Sequence, residues 1–187
     1  MEKHYLHHLA PGFDRSAVLE ELMSQYGEDV WNFAYFLTRQ REAADDIAQD
    51  AFLAAYNSLY SFRGEASVKS WLLGITRYKA LGYLRNAFVR RVVLMGSFRE
   101  DGASASAEQV AFERMASREV WDTVLELPRK YREVLLLAYH FGLKTEEIAA
   151  ALGLPEGTVK SRLSRARKKM SECWSRREDG RHEYEQA

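Results

Sequence analysis

The 187-residue sequence predicts an all-α fold of two small helical bundle domains joined by a flexible linker. Apolar residues recur at spacings of three and four through most of the chain, the period of an amphipathic helix, whereas the alternation expected of strands does not occur. Residues 96–107 break that period and are rich in Gly, Ser and Ala, the composition of an interdomain tether. Residues 145–170, TEEIAAALGLPEGTVKSRLSRARKKM, follow the pattern of two helices about a tight turn. The expected division is a disordered tail over residues 1–15, a first domain over 16–92, a linker over 93–112, a second domain over 113–174 and a polar tail over 175–187.

Val18, Leu22, Tyr26, Val30, Phe33 and Leu37 line one face of a first helix that starts near Ser16, with Gly27 as a possible bend. A second helix spans about residues 42–59, and the small residues Ala44, Ala48, Ala51 and Ala55 on its inner side permit close helix packing. FRGEAS at residues 62–67 interrupts the pattern. A third helix begins near Val68, buries Trp71, Leu72 and Ile75, and ends in a basic segment over residues 85–91. After the linker, helical pattern resumes near Gln109. Pro128 opens a helix carrying Tyr131, Val134, Leu135 and Ala138, which should pack on the helix-turn-helix. Within that motif Ile148, Ala149 and Leu152 face inward, Gly153 makes the turn, Leu154 packs beneath it and Pro155 precedes a helix that buries Val159, Leu163, Ala166 and Met170.

Apolar residues make up 47% of the chain, enough for a core in each half. Net charge is zero, but the sign alternates along the sequence. Residues 1–60 carry four Lys/Arg against ten Asp/Glu, residues 61–92 seven against one, residues 93–126 three against seven, and residues 127–187 thirteen against nine. Two basic blocks therefore alternate with two acidic ones, and a single uniform surface is not expected. With Cys173 as the sole cysteine, neither a disulfide framework nor a thiolate metal cluster can be assembled within the chain. His4, His7 and His8 lack acidic or thiol companions and read as tail rather than metal site. No run is long enough for a membrane span and no signal-type pattern opens the chain, so a cytoplasmic protein without membrane insertion is expected.

Six cations and no acid lie between residues 158 and 169. Their mutual repulsion weakens an isolated helix, and a polyanion relieves it. The first turn of this helix, from Gly157 to Ser161, should enter a major groove. Lys160 and Arg165 would reach guanine edges or phosphates there, and Ser161 and Ser164 would make shorter contacts. Upstream, Phe62, Trp71, Arg77, Tyr78, Lys79, Tyr83 and Arg85 interleave rings with cations about a glycine-containing loop, a mixture suited to unpaired nucleic acid. Trp71 should be core support, leaving Phe62 to stack. Asp45, Asp46, Gln49 and Asp50 make an acidic face early in the second helix, which the helix dipole alone accounts for as solvated surface. His140, between Tyr139 and Phe141, reads as a packed residue. No nucleophile, phosphate-cradling or paired-carboxylate arrangement occurs, so neither an enzyme nor a cofactor is expected.

The segments AADDIAQDAF, FRGEASVKSWLLGIT and YREVLLLAYHFGLKTEEIAAALGLPEGTVKSRLSRARKKM, in that order over about residues 16–174, resemble the extracytoplasmic-function sigma factors of bacterial RNA polymerase, the minimal branch of the sigma-70 family. The resemblance implies that Asp46, Gln49, Asp50 and Phe52 face the coiled coil of the polymerase β′ subunit. It implies that Phe62, Arg63, Gly64, Glu65 and Ser67 form a loop capturing a flipped base of the −10 element, with Lys69, Arg77 and Arg85 supporting the strand. Thr158, Lys160, Ser161, Arg162, Ser164 and Arg165 would meet the −35 duplex, and residues 96–107 would thread the polymerase. Implied partners are core RNA polymerase, including its β subunit, promoter DNA, and an anti-sigma factor, often membrane-linked. Where such factors usually carry an Asn and later an Asp in the third helix, this chain has Tyr78 and Gly82. A stand-alone helix-turn-helix regulator is the main alternative, and it would bind duplex DNA tightly without polymerase. A helical anti-sigma or scaffold protein would leave the cation run unexplained.

Overall fold

A computed structural model describes residues 14–64, 66–95 and 118–185, and every regular element among them is a helix. Residues 1–13 of the predicted tail with its three histidines, Glu65, and residues 96–117, which hold most of the expected linker and the helical pattern expected near Gln109, lie outside the described residues, whereas Asp14 and Arg15, expected in the tail, cap and begin the first helix. The chain divides into two compact units, residues 1–103 with 146–153 and residues 104–145 with 154–187.

In the first unit, helix α1 (Arg15–Thr38) starts where the Asp14 carboxylate accepts the Ser16 N–H at 2.8 Å, a side-chain cap on an otherwise orphaned donor. The helix runs unbroken through Gly27, because Tyr26 and Val30 on either side are held in the core. It stops at Arg39, whose left-handed backbone (φ 58°) returns its N–H to the Tyr35 carbonyl at 2.7 Å. Helix α2 (Arg41–Ser58) presents Ala44, Ala51 and Ala55, all fully buried, to its neighbours. Methyl side chains there let helix axes approach closely. A single 3-10 turn, Leu59–Ser61, ends α2. The Arg15 guanidinium lies 4.0 Å above the Tyr56 ring and donates to the Tyr56 carbonyl, clamping the start of α1 to the end of α2.

Helix α3 (Val68–Met95) packs on both α1 and α2. Leu22, Val30, Leu59 and Leu72 meet in this core with almost no exposure. Each such side chain contributes about 1.5–3 kcal/mol by leaving water. Trp71 and Ile75 are only half-buried; Leu73 and Ala80 complete the inner face instead.

In the second unit, helix α4 (Arg118–Glu126) buries Trp121, Val124 and Leu125. Helix α5 (Arg129–Leu135) follows Pro128, whose carbonyl accepts from the N–H groups of Tyr131 and Arg132. A π turn over Leu136–His140 closes with the Phe141 N–H on the Leu136 carbonyl at 3.0 Å, and Gly142 (φ 70°) lets Leu143 N–H reach the Leu137 carbonyl at 2.9 Å. Residues 146–153 belong to the first unit: helix α6 (Thr145–Leu152) buries Ile148, Ala149 and Leu152. Gly153 then takes φ 64°, a turn conformation that glycine adopts without strain. Helix α7 (Glu156–Glu185) begins with Thr158 and Val159 donating to the Pro155 carbonyl. Its Val159, Leu163 and Ala166 are buried, and α5 and α4 pack on it. The backbone stays helical to Glu185, past residue 174 where the sequence predicts a polar tail; residues 175–185 hold no proline, and their Arg and Glu favour helix.

Candidate nucleic-acid interface

Asp46, Gln49 and Asp50 are exposed on one stripe of α2, at the i, i+3, i+4 spacing that puts side chains on one face. Phe52 is not with them. At 6% exposure it packs among Leu22, Tyr26 and Leu72, so its contribution to this face is support from beneath rather than contact. Roughly 120° of helical rotation separates Phe52 from Asp46, whereas Leu53, seven residues on, returns to within about 20° of the stripe. Leu53 is 59% exposed and is the apolar member of the face. Two α1 and α2 side chains border it: Trp31 donates its ring N–H to Asp45 at 2.6 Å, and the Arg41 guanidinium lies 5.7 Å from the Trp31 ring. Asp50 meets Lys79 of α3 at 3.8 Å.

Between α2 and α3, Phe62 is half-buried with its ring 4.8 Å from that of Trp71. Trp71 thus backs Phe62, but from a half-buried position rather than from the core the sequence predicts. Arg63 is exposed, and Gly64 takes φ 65°, which turns the chain at the rim of the loop. Glu65 lies outside the described residues. The Ser67 hydroxyl accepts the Ser70 N–H at 3.2 Å, so it caps α3 and shapes the loop from its base. Lys69 is drawn to Asp29 of α1 at 3.0 Å. On a helix it stands roughly 160° round from Arg85, and the fold therefore does not bring it together with Arg77 and Arg85 as a strand-supporting set. Arg77 is half-buried and Arg85 exposed. Tyr83 donates to the Gln40 side chain at 3.2 Å, which uses its hydroxyl within the unit.

On α7 the buried Val159, Leu163 and Ala166 define the inner side, and the basic residues occupy the arc opposite. Thr158, Ser161, Arg162 and Arg165 share one stripe, with Thr158 and Arg162 half-buried and the other two exposed. Lys160 and Ser164 flank it, both exposed. Lys160 lies 3.6 Å from Glu156 one turn back, and Ser161 donates to the Thr158 carbonyl at 3.0 Å. Exposed pairs of this kind are worth little and exchange readily for a phosphate. Arg167 is different, since its Nε donates to the Tyr139 hydroxyl at 2.7 Å and fastens α7 to the π turn.

Sequence reasoning missed an apolar groove of about 540 Å³ in the second unit, walled by Trp121, Val124, Leu136, Met170 and Trp174 with Tyr139 at its edge. Its walls come from segments far apart in the chain, so no local pattern marks it. His140 packs edge-on to Trp121 at 5.3 Å, the packed role expected of it. No group of residues suited to hold a metal occurs among the described residues.

Residues 22–88 match the family described as sigma-70 region 2, and residues 117–170 match that described as sigma-70, region 4. The extracytoplasmic-function RNA polymerase sigma factor SigC of Mycobacterium tuberculosis is similar, with 32% identity over 80% of this chain and 79% of that protein. Two solved structures are also similar. The sigma factor RpoE of Bartonella quintana, in complex with the anti-sigma factor NepR, has a TM-score of 0.70 and 26% identity over 83% of this chain and 96% of that one. CnrH, in complex with the cytosolic domain of CnrY, has a TM-score of 0.67 and 26% identity over 94% of this chain and 98% of that one.

Proposed function

The chain belongs to the extracytoplasmic-function branch of the sigma-70 family, and on that premise we propose that it is a dissociable specificity subunit, not itself an enzyme, that directs core RNA polymerase to −35/−10 promoters. The observation that carries this reading is the order of three unlike surfaces on one chain: an acidic stripe on α2, an aromatic and basic loop before α3, and a cationic arc on α7.

Asp46, Gln49, Asp50 and Leu53 dock on the polymerase β′ coiled coil, with Phe52 holding the stripe in place from the core. Charge complementarity of this kind speeds encounter and fixes register, while the exposed leucine supplies an apolar anchor. Phe62, Arg63 and Gly64 receive an unpaired base of the −10 element, and Arg77 and Arg85 neutralise its backbone. In α7, Ser161 and Arg165 lie at the middle of the arc facing the −35 duplex, with Thr158, Lys160, Arg162 and Ser164 to either side. The similar sigma factor RpoE is in complex with an anti-sigma factor, which supports control of this protein by an anti-sigma factor in the cytoplasm. No helix among the described residues is long and apolar enough to cross a membrane.

Promoter-dependent transcription with purified core polymerase and fragments of the source genome tests the proposal. Initiation at a discrete set of sites, absent without the protein, is the expected result. Folded protein that stimulates no site, or that binds duplex DNA tightly without polymerase, would replace this reading with that of a stand-alone regulator.

A further inference from the structure

Tyr78 has 77% of its surface exposed, more than Met23, Leu53, Tyr60, Phe88 or Tyr139, the other large apolar side chains that face water among the described residues. A lone exposed ring needs no explanation. This one has unusual company. On α3, Trp71 and Arg85 fall within about 20° of Tyr78 and Gly82 within about 40°, so the four share one stripe. Trp71 in turn carries the Phe62 ring at 4.8 Å. Gly82 sits inside a 28-residue helix, where glycine costs about 1 kcal/mol relative to alanine. A Cβ there would meet nothing within 4 Å, so no packing need accounts for the glycine. It leaves bare backbone one turn beyond the Tyr78 ring. The block of residues 61–92 that carries this stripe has seven Lys/Arg against one acid.

From this arrangement we propose that Tyr78, with Gly82 and Arg85, forms a second stacking site for an unpaired base of single-stranded DNA, beyond the site at Phe62. The ring offers a face to the base, the glycine admits the nucleotide close to the helix, and Arg85 meets the phosphate. Seven residues of helix put Tyr78 about 10 Å beyond Trp71, the span of about three stacked nucleotides. The Asn and Asp that the family resemblance implies at these two positions are a hydrogen-bonding amide and a carboxylate. A ring and a bare backbone stand in place of both, so this site offers a base a face to stack on rather than side-chain hydrogen-bonding groups. Every base has a π-face, and this site is therefore indifferent to which base it holds. The proposal rests on the reading of the first unit as the strand-capturing part of a sigma factor.

The test uses holoenzyme assembled from core polymerase and the full-length protein, either unchanged or as Tyr78→Ala, Tyr78→Phe or Tyr78→Asn. Single-stranded oligothymidylate and oligoadenylate, each carrying one 2-aminopurine, serve as probes, with core polymerase alone as control. Tyr78→Ala and Tyr78→Asn should weaken binding about fivefold or more on both probes. Tyr78→Phe should stay within about twofold of the unchanged protein, because it keeps the ring. Circular dichroism should be the same for all four. If the unchanged holoenzyme binds strand and Tyr78→Ala matches it, the stacking site is wrong while strand capture stands. A loss confined to one probe, or shared by Tyr78→Phe, points to hydrogen bonding and also overturns it. An unchanged holoenzyme no better than core alone would remove strand capture by this unit, and the second site with it.

Discussion

Asp50→Arg separates docking from folding, because the structure sets the two costs far apart. The Asp50 side chain is 63% exposed and its ion-pair partner, Lys79, is 3.8 Å away. Two unit charges at about 4 Å interact by about 1 kcal/mol in water. Removing that attraction and installing an equal repulsion changes stability by no more than about 2 kcal/mol, less once solvent screens the pair and the side chains swing apart. A domain stable by about 5–15 kcal/mol remains folded. At the polymerase surface the same reversal puts a cation where the proposed partner expects a carboxylate, and breaking a buried, hydrogen-bonded charge pair costs about 2–5 kcal/mol. Affinity for core polymerase should therefore fall by at least about thirtyfold. Fluorescence anisotropy of labelled protein titrated with core polymerase measures that loss, and a thermal melt followed by circular dichroism measures the fold. Lys79→Ala serves as the control, since it removes the same ion pair without reversing the charge on α2. Unchanged affinity for a folded Asp50→Arg protein would refute the docking role and return the acidic stripe to a solvated face.

Two further substitutions probe the other surfaces. Lys160→Ala and Arg165→Ala should each weaken −35-dependent initiation by about 1–3 kcal/mol per base contact, or flatten the salt dependence if the contact is to phosphate; a parallel loss of core binding would show that these side chains serve the polymerase instead. Leu72→Ala, at a position with no exposed surface in the first unit, should destabilise that unit by about 2.7–5 kcal/mol in urea unfolding, and a cost below about 1 kcal/mol would mean that the cluster around Leu72 does not hold the three helices together.

Much of the candidate site was legible because its signals are local. The cation run on α7 stands opposite Val159, Leu163 and Ala166 by helical spacing alone, and the structure buries those three. Phe52 shows the same rule applied incompletely. Motif resemblance grouped it with Asp46 and Asp50, yet counting seven residues on from Asp46 reaches Leu53, which the structure exposes. Lys69 fell to a different cause. Nothing in its neighbourhood along the chain reveals Asp29, which α1 brings to 3.0 Å only when the helices pack. Ser67 enters the loop through the resemblance, yet it stands one residue before the helix start expected at Val68, the position from which its hydroxyl caps that helix.

Periodicity, turn residues and the distribution of charge by themselves determined that this protein is helical, where its chain turns, and which helix carries the excess of cations. These properties depend on residues within a turn or two of one another, so a linear string contains them. The packed helices alone decided that Trp31 holds Asp45, that Arg15 clamps Tyr56, that Asp50 is tethered to Lys79 and that Trp121 and Trp174 wall one groove. Each of those contacts joins different helices, and the angle at which one helix meets another follows from how whole surfaces interlock, which the order of residues along either helix does not specify.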